Sequence, residues 1–231
     1  MTQRTAAKVA GCTYLGYIVF SMSSSILYAR ATAGDDASQT LSTLARMIST
    51  ARVTVLLDLL QPVCALLLAV TLYRLVKPVS PTVALLAMLF RVGEGLLGVL
   101  PILSKLELMR LAIAPPIGLA DVSGYLVAAN ELLHRPDDGF SQFFFVVGGF
   151  LFACLLLRGR LIPRWLAWIG VVTIGAQMVV VPLHIATMVP GSFVNLGWMA
   201  ILLYEVPLGI WLIVKGTSRS KLSPIGAREE F

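Results

Sequence analysis

The chain has 231 residues, is 58% hydrophobic and only 13% charged, and has a mean hydropathy of +0.86 and a net charge of +6. Those proportions exclude an ordinary water-soluble domain and put the chain in the membrane class. The positive balance does not point to nucleic acid, because the basic residues gather at the ends of apolar runs.

A helix that crosses a hydrocarbon layer of roughly 30 Å needs about 20 mostly apolar residues, since every backbone amide has to find its partner inside the segment. Six stretches qualify: 9–29, 53–76, 82–103, 140–157, 165–187 and 196–214. The expected architecture is an all-α integral membrane six-helix bundle, read as a single domain over 1–231, with 216–231 as a short cytoplasmic tail.

The first run follows Arg4 and Lys8. These basic residues and ARA at 29–31 loosely match a cleaved signal, but the apolar stretch is longer than a usual signal core and its loss would leave five spans, so it is read as a retained helix. Its Ser21, Ser23, Ser24 and Ser25 read as helix-packing residues. In DDASQTLSTLARMIST, Leu41, Leu44, Met47 and Ile48 recur at helical spacing, with Asp36 or Ser38 as the cap. A short amphipathic exterior helix is expected there. The second run carries LLDLLQP, which sets Asp58, Gln61 and the helix-interrupting Pro62 together. Pro78 and Pro81 then punctuate the link to the third run, whose centre is LFRVGEGLLG with Arg91 and Glu94.

The stretch 104–139 reads as the longest exterior connection. Within it, LADVSGYLVAANELLH places Leu119, Val122, Leu126, Ala129 and Leu133 on one stripe after Pro115 and Pro116, so a second amphipathic helix is expected. Asp121, Asn130 and Glu131 argue against a seventh span. Gly159 and Pro163 separate the fourth and fifth runs, and Pro190 and Gly191 the fifth and sixth. Spans two and three, four and five, and five and six should be antiparallel neighbours. The sixth run contains LLYEVPLG, with Tyr204, Glu205 and Pro207. Its E-x-x-L-G echoes EGLLG of the third run, which reads as coincidence because spans one and four do not match.

In a six-span arrangement Arg4 and Lys8, Arg74 and Lys77, Arg158, Arg160 and Arg164, and Lys215, Arg219 and Lys221 all fall on one side. This positive-inside pattern expects the inner (plasma) membrane with both termini cytoplasmic.

A charge at the centre of a bilayer costs roughly 2.5–3.5 kcal/mol, so such residues pair, face the protein interior or line water. Arg91 and Glu94 share a helix face and pair locally. With about 1.5 Å of rise per residue, Arg91, Glu205, Glu94 and Asp58 fall at roughly 14, 16, 18 and 22 Å from the cytoplasmic edge. One polar layer from spans two, three and six is expected. Three acids against one arginine call for a protonated acid or an extra cation. Glu94, Glu205 and Asp58 are therefore the candidate acids, with Arg91, Gln61, Gln177 and Tyr204 as candidate ligand-binding residues. A purely structural lock between Arg91 and the two glutamates is the competing reading.

Cys12, Cys64 and Cys154 read as packing residues, and His134 and His184 have no metal-ligand spacing. Nucleotide-binding glycine loops and hydrolase elbows are absent from the sequence. No metal and no cofactor are expected. The partners expected are the lipid bilayer and a lipid-soluble small molecule, with no nucleic acid.

RTAAKVAGCTYLGYIVF at 4–20, LFRVGEGLLG at 89–98, LRGRLIPRWLAWIG at 157–170 and EVPLGIWLIVKG at 205–216 resemble the bacterial membrane family known as domain of unknown function 4386. The resemblance covers essentially the whole chain. It implies a small multi-span membrane protein, places the Arg91, Glu94 and Glu205 blocks in the family pattern, and brings no catalytic assignment.

Three functions fit these residues. The leading one is an acid-lined intramembrane pocket that binds, and by acid-initiated chemistry converts, a lipid-soluble or amphipathic molecule. Its rival is a proton- or cation-coupled transporter or channel using the same carboxylates. The third is a non-catalytic membrane subunit.

Overall fold

A computed structural model describes residues 2–114, 122–134 and 139–217. Among them the chain is helical throughout: α1 (Gln3–Ala31), α2 (Ala37–Arg46), α3 (Ile48–Val76), α4 (Pro81–Leu97), α5 (Leu100–Ile113), α6 (Val122–His134), α7 (Phe140–Arg158), α8 (Arg164–Ile185) and α9 (Gly191–Val214). Six segments are long and apolar enough to cross a membrane: α1, α3, the stretch Pro81–Ile113 containing α4 and α5, α7, α8 and α9. Their outward residues, such as Val19 and Met22 on α1 and Leu56, Leu59, Val63 and Val70 on α3, are exposed aliphatics. Such surfaces belong against lipid, where burial is completed by acyl chains. The fold is an all-α integral membrane fold.

The third span differs from expectation. It does not give way to a connection at 104: after a turn at Gly98 and Val99, helix resumes as α5 with Pro101 in its first turn and runs to Ile113. Proline suits that position, since a first-turn amide has no intrahelical partner to lose. Of the charged residues that made 104–113 look like a loop, Glu107 and Arg110 are exposed, whereas Lys105 is half-buried on the side of the helix that buries Ile102, Leu108, Met109 and Ala112. The start of the second exterior stripe at Leu119, with Pro115 and Pro116, and most of the tail 216–231 lie outside the described residues.

The chain falls into two compact units. The first comprises the described residues within Met1–Gly16, Cys64–Gly95 and Gly139–Phe231. Its core joins Ala6, Ala7 and Ala10 of α1 with Leu68, Leu72 and Leu75 of α3, Phe152 and Leu156 of α7, and Leu208 and Leu212 of α9. Helix α7 packs on α8 and α8 on α9, as their short links expect. Alanine and glycine on α1 let backbones approach closely: a Cβ placed on Gly11 would stand 2.5 Å from the carbonyl oxygen of Gly209. At the basic end the α3–α4 and α7–α8 links touch. A Cβ on Gly159 would meet Val79 Cγ2 at 2.5 Å, so that glycine supplies room, while the next residue, Arg160, takes the left-handed conformation (φ 51°).

The second unit comprises Tyr17–Val63 and the described residues within Leu96–Asp138. Helices α2, α5 and α6 pack together over Ala31, Leu41, Leu44, Ala51, Leu108, Met109, Ala112 and Ala129. The expected cap of α2 is present: the Asp36 carboxylate accepts from Gln39 N at 2.7 Å. Leu41 and Leu44 face inward, whereas Met47 ends α2 and Ile48 begins α3. Helix α6 is held to α5 by Tyr125, whose hydroxyl donates to the Leu111 carbonyl at 2.8 Å and whose phenol burial raises above its ordinary pKa.

Candidate functional site

Two buried polar groups are built from the residues the sequence singled out. The first lies in the first unit. One turn of α4 carries Arg91 and Glu94 on the same face, and they form an ion pair, Arg91 Nη1 standing 2.8 Å from Glu94 Oε2, with side chains only 2% and 3% exposed. Charges so desolvated persist only when paired. The guanidinium also lies over the Phe145 ring of α7, 4.7 Å from its centroid, which gives the cation a second favourable surface. A close approach allows this: Gly148, one turn on from Phe145, leaves space that a Cβ would take at 3.1 Å from Arg91 Cγ. Ser141 Oγ adds a bond from α7 to the Glu94 backbone carbonyl at 3.2 Å.

Facing this pair is Glu205 of α9, 5% exposed. The charged groups acting on it are Arg91 and Glu94. Among the described residues it has no ion pair of its own. Tyr14 of α1, also buried, faces Glu205, Arg91 and Glu94, and Tyr204 stands beside Tyr14 and Glu205. Tyr204 is seated by Gly170 of α8, where a Cβ would fall 2.5 Å from the phenol ring. Three helices, α1, α4 and α9, thus bring two carboxyls, one guanidinium and two phenols together. Gln177 is buried in the same unit, but its amide is spent on the Val194 carbonyl at 3.0 Å, joining α8 to α9.

The second group lies in the second unit and is centred on Asp58 of α3. Ser24 Oγ of α1 donates to Asp58 Oδ1 at 2.5 Å, Gln61 Nε2 donates to the same oxygen at 3.0 Å, and Lys105 Nζ of α5 donates to Oδ2 at 2.7 Å. The Lys105 ammonium also sits over the Tyr28 ring, 4.3 Å from its centroid. The structure therefore gives Asp58 a cation of its own, and the balance near Arg91 becomes two acids to one arginine within the first unit.

Sequence reasoning missed Tyr14, Phe145, Ser24, Tyr28 and Lys105. For Lys105 a signal existed: a buried Asp58 needs a cation, and Lys105 follows Pro101 at helical spacing. Ser24 and Tyr28, at i and i+4 on α1, share a face. Nothing in an apolar run marks Tyr14 or Phe145 apart from its other aromatics. Among the described residues no group of three His, Cys, Asp or Glu is placed to hold a metal ion, and His184 bonds the Val189 carbonyl at 2.9 Å.

With this geometry in view, comparison with known families is decisive on membership. The model of the family described as "Domain of unknown function (DUF4386)" matches residues 9–216. The chain belongs to the DUF4386 family. No curated protein and no solved structure matches it. All four sequence blocks that carried the resemblance touch the matched region, and Arg91, Glu94, Glu205 and Asp58 fall inside it. This DUF4386 protein is an integral membrane protein with two buried polar groups among its described residues.

Proposed function

We propose that this DUF4386 protein binds a small lipid-soluble or amphipathic molecule at the Arg91, Glu94 and Glu205 group, and that acid-initiated conversion is the chemistry the group supplies. Glu205 carries the reading. It is a buried carboxyl whose charged neighbours are already paired with each other, so folding alone leaves it without a partner. A carboxyl in that position is a hydrogen-bond or proton donor held ready for a ligand in a water-poor site. Arg91 anchors an electron-rich oxygen, Tyr14 and Tyr204 supply hydroxyls, and the apolar body of the ligand enters from the lipid phase.

The orientation that accompanies this reading puts both termini in the cytoplasm of a cell with one inner, plasma membrane. Among the described residues the basic end of the first unit carries Arg4, Lys8, Arg74, Lys77, Arg158, Arg160, Arg164 and Lys215 and no acid.

The test is native mass spectrometry and solvent extraction of purified wild-type protein beside Glu205→Gln, with folding checked by thermal melt. A co-purifying molecule that is lost from a well-folded Glu205→Gln supports the reading and identifies the ligand class. A ligand-free wild type, together with proton or cation flux in liposomes that Glu205→Gln abolishes, would replace it with a transporter. Absence of both, with a Glu205→Gln melt unchanged from wild type, would remove any role for the carboxyl.

A further inference from the structure

We propose that the α7–α8 link and the α3–α4 link beside it form a binding site for the phosphate of an anionic phospholipid, with Arg158, Arg160, Arg164 and Lys77 as the cations that hold it. The proposal stands on residues other than Glu205 and does not rest on the reading of that carboxyl.

The links lie where lipid headgroups lie. Residues 159–163 join the spans α7 and α8, and 77–80 join α3 to the span that opens with α4. Trp165 and Trp168, more than half exposed at the start of α8, are side chains of the kind that settles at the membrane–water interface. Lys77, Arg158, Arg160 and Arg164 are all exposed, and none of them is in an ion pair among the described residues. The two links touch at Gly159 and Val79; Arg158 and Arg160 flank that glycine, and Lys77 is two residues from that valine.

Orientation in the membrane does not account for Arg160. The positive-inside bias counts charges and is indifferent to the backbone that carries them, and Arg158 and Arg164 supply it from helical positions. Arg160 instead takes φ 51°. It closes α7 in the arrangement where the amide of Leu161 donates to the Leu156 carbonyl and that of Arg160 to the Leu157 carbonyl, and the left-handed position there ordinarily goes to glycine. The glycine of this link stands one place earlier, at an ordinary φ of −75°, where it makes room for Val79. A long charged side chain kept where glycine suits the backbone better points to a use for that side chain. The backbone beneath it is fixed, because Leu161 and Ile162 are buried in the core and the amides of Gly159, Arg160 and Leu161 are all bonded. A planar guanidinium on a fixed turn matches the oxygens of a phosphate, and a cluster of basic residues at the edge of the bilayer is the setting in which anionic lipid is recognised.

The experiment is thermal unfolding in detergent micelles doped with phosphatidylglycerol or, at the same mole fraction and ionic strength, with zwitterionic phosphatidylcholine. Wild type should melt about 5 °C higher with phosphatidylglycerol. Arg160→Gly should melt no lower than wild type in phosphatidylcholine, because the turn receives the residue it favours, yet should lose at least half of the phosphatidylglycerol increment. Should Arg160→Gly fail to fold, Arg160→Asn, which also tolerates a left-handed backbone, should show the same loss. Arg4→Gln removes the same charge from the same end of the unit, but on α1, and should keep the increment. A wild type without an increment, or an Arg160 variant that retains it in full, would overturn the proposal. A loss as large in Arg4→Gln would overturn it too, by reducing the effect to general surface charge, and an equal rise with inorganic phosphate in phosphatidylcholine micelles would replace the lipid with a free anion. Glu205→Gln should leave the increment unchanged, so failure here and failure of the proposed function are read separately.

Discussion

The Arg91–Glu94 pair of the first unit and the Lys105–Asp58 pair of the second solve the same problem, a full charge among apolar helices, by opposite constructions. Arg91 and Glu94 are three residues apart on one helix, nearly sealed, and face a further buried carboxyl, Glu205. Lys105 and Asp58 come from different helices, stay partly exposed, and leave no acid over. In the first group the cation is the scarce element, because one guanidinium answers to two carboxyls. In the second the carboxylate is the centre, with hydroxyl, amide and ammonium donors gathered on it. The difference teaches that burial alone does not mark a site. The balance of partners differs as well: the first group holds one carboxyl more than it holds cations, whereas the second matches its carboxylate with three donors.

That contrast has measurable consequences. Arg91→Met should cost the most, about 3–5 kcal/mol, since it strands buried carboxylates without their cation. Denaturant unfolding in detergent would show it, and adding Glu94→Gln should recover part of the loss. Lys105→Met should cost less, about 1.5–3 kcal/mol, because Asp58 keeps Ser24 and Gln61 and has some access to the outside. If Lys105→Met proves the more damaging of the two by the same assay, the second pair is the structural lock and the contrast fails. Gln61→Leu should be mildest, about 1 kcal/mol, one hydrogen bond among several on the same carboxylate. A near-zero effect would leave Ser24 and Lys105 as the donors that hold Asp58.

Much of the fold was legible in the sequence, because the requirement for about 20 apolar residues per crossing writes each span into composition. The cap at Asp36 and the inward Leu41 and Leu44 were equally plain, since a helix start and a 3.6-residue stripe are local features. The end of the third span was not. Lys105, Glu107 and Arg110 look like loop when counted; in α5 only Glu107 and Arg110 are exposed, while Lys105 turns to the side of the buried Leu108, Met109 and Ala112, where Asp58 takes up its charge. The site was half legible for a related reason. Rise along a helix gives depth but not azimuth, so Arg91, Glu94, Glu205 and Asp58 could be put at similar levels while their partners could not be named. Rotation about the helix axis is fixed by packing at positions such as Gly148 and Gly170, where nothing but the neighbouring side chain explains the glycine.

The spacing of the two pairs along the chain also bears on how the protein is made. Arg91 and Glu94 emerge from the ribosome together and can neutralise each other on α4 as that helix enters the bilayer. Asp58 is synthesised 47 residues before its cation. When α3 is inserted, the donors already available to it are Ser24 on the preceding span and Gln61 on its own next turn, the two that bind Oδ1 in the finished protein. Those two hydrogen bonds need no residue made after Gln61, so they can form on Asp58 before Lys105 is synthesised.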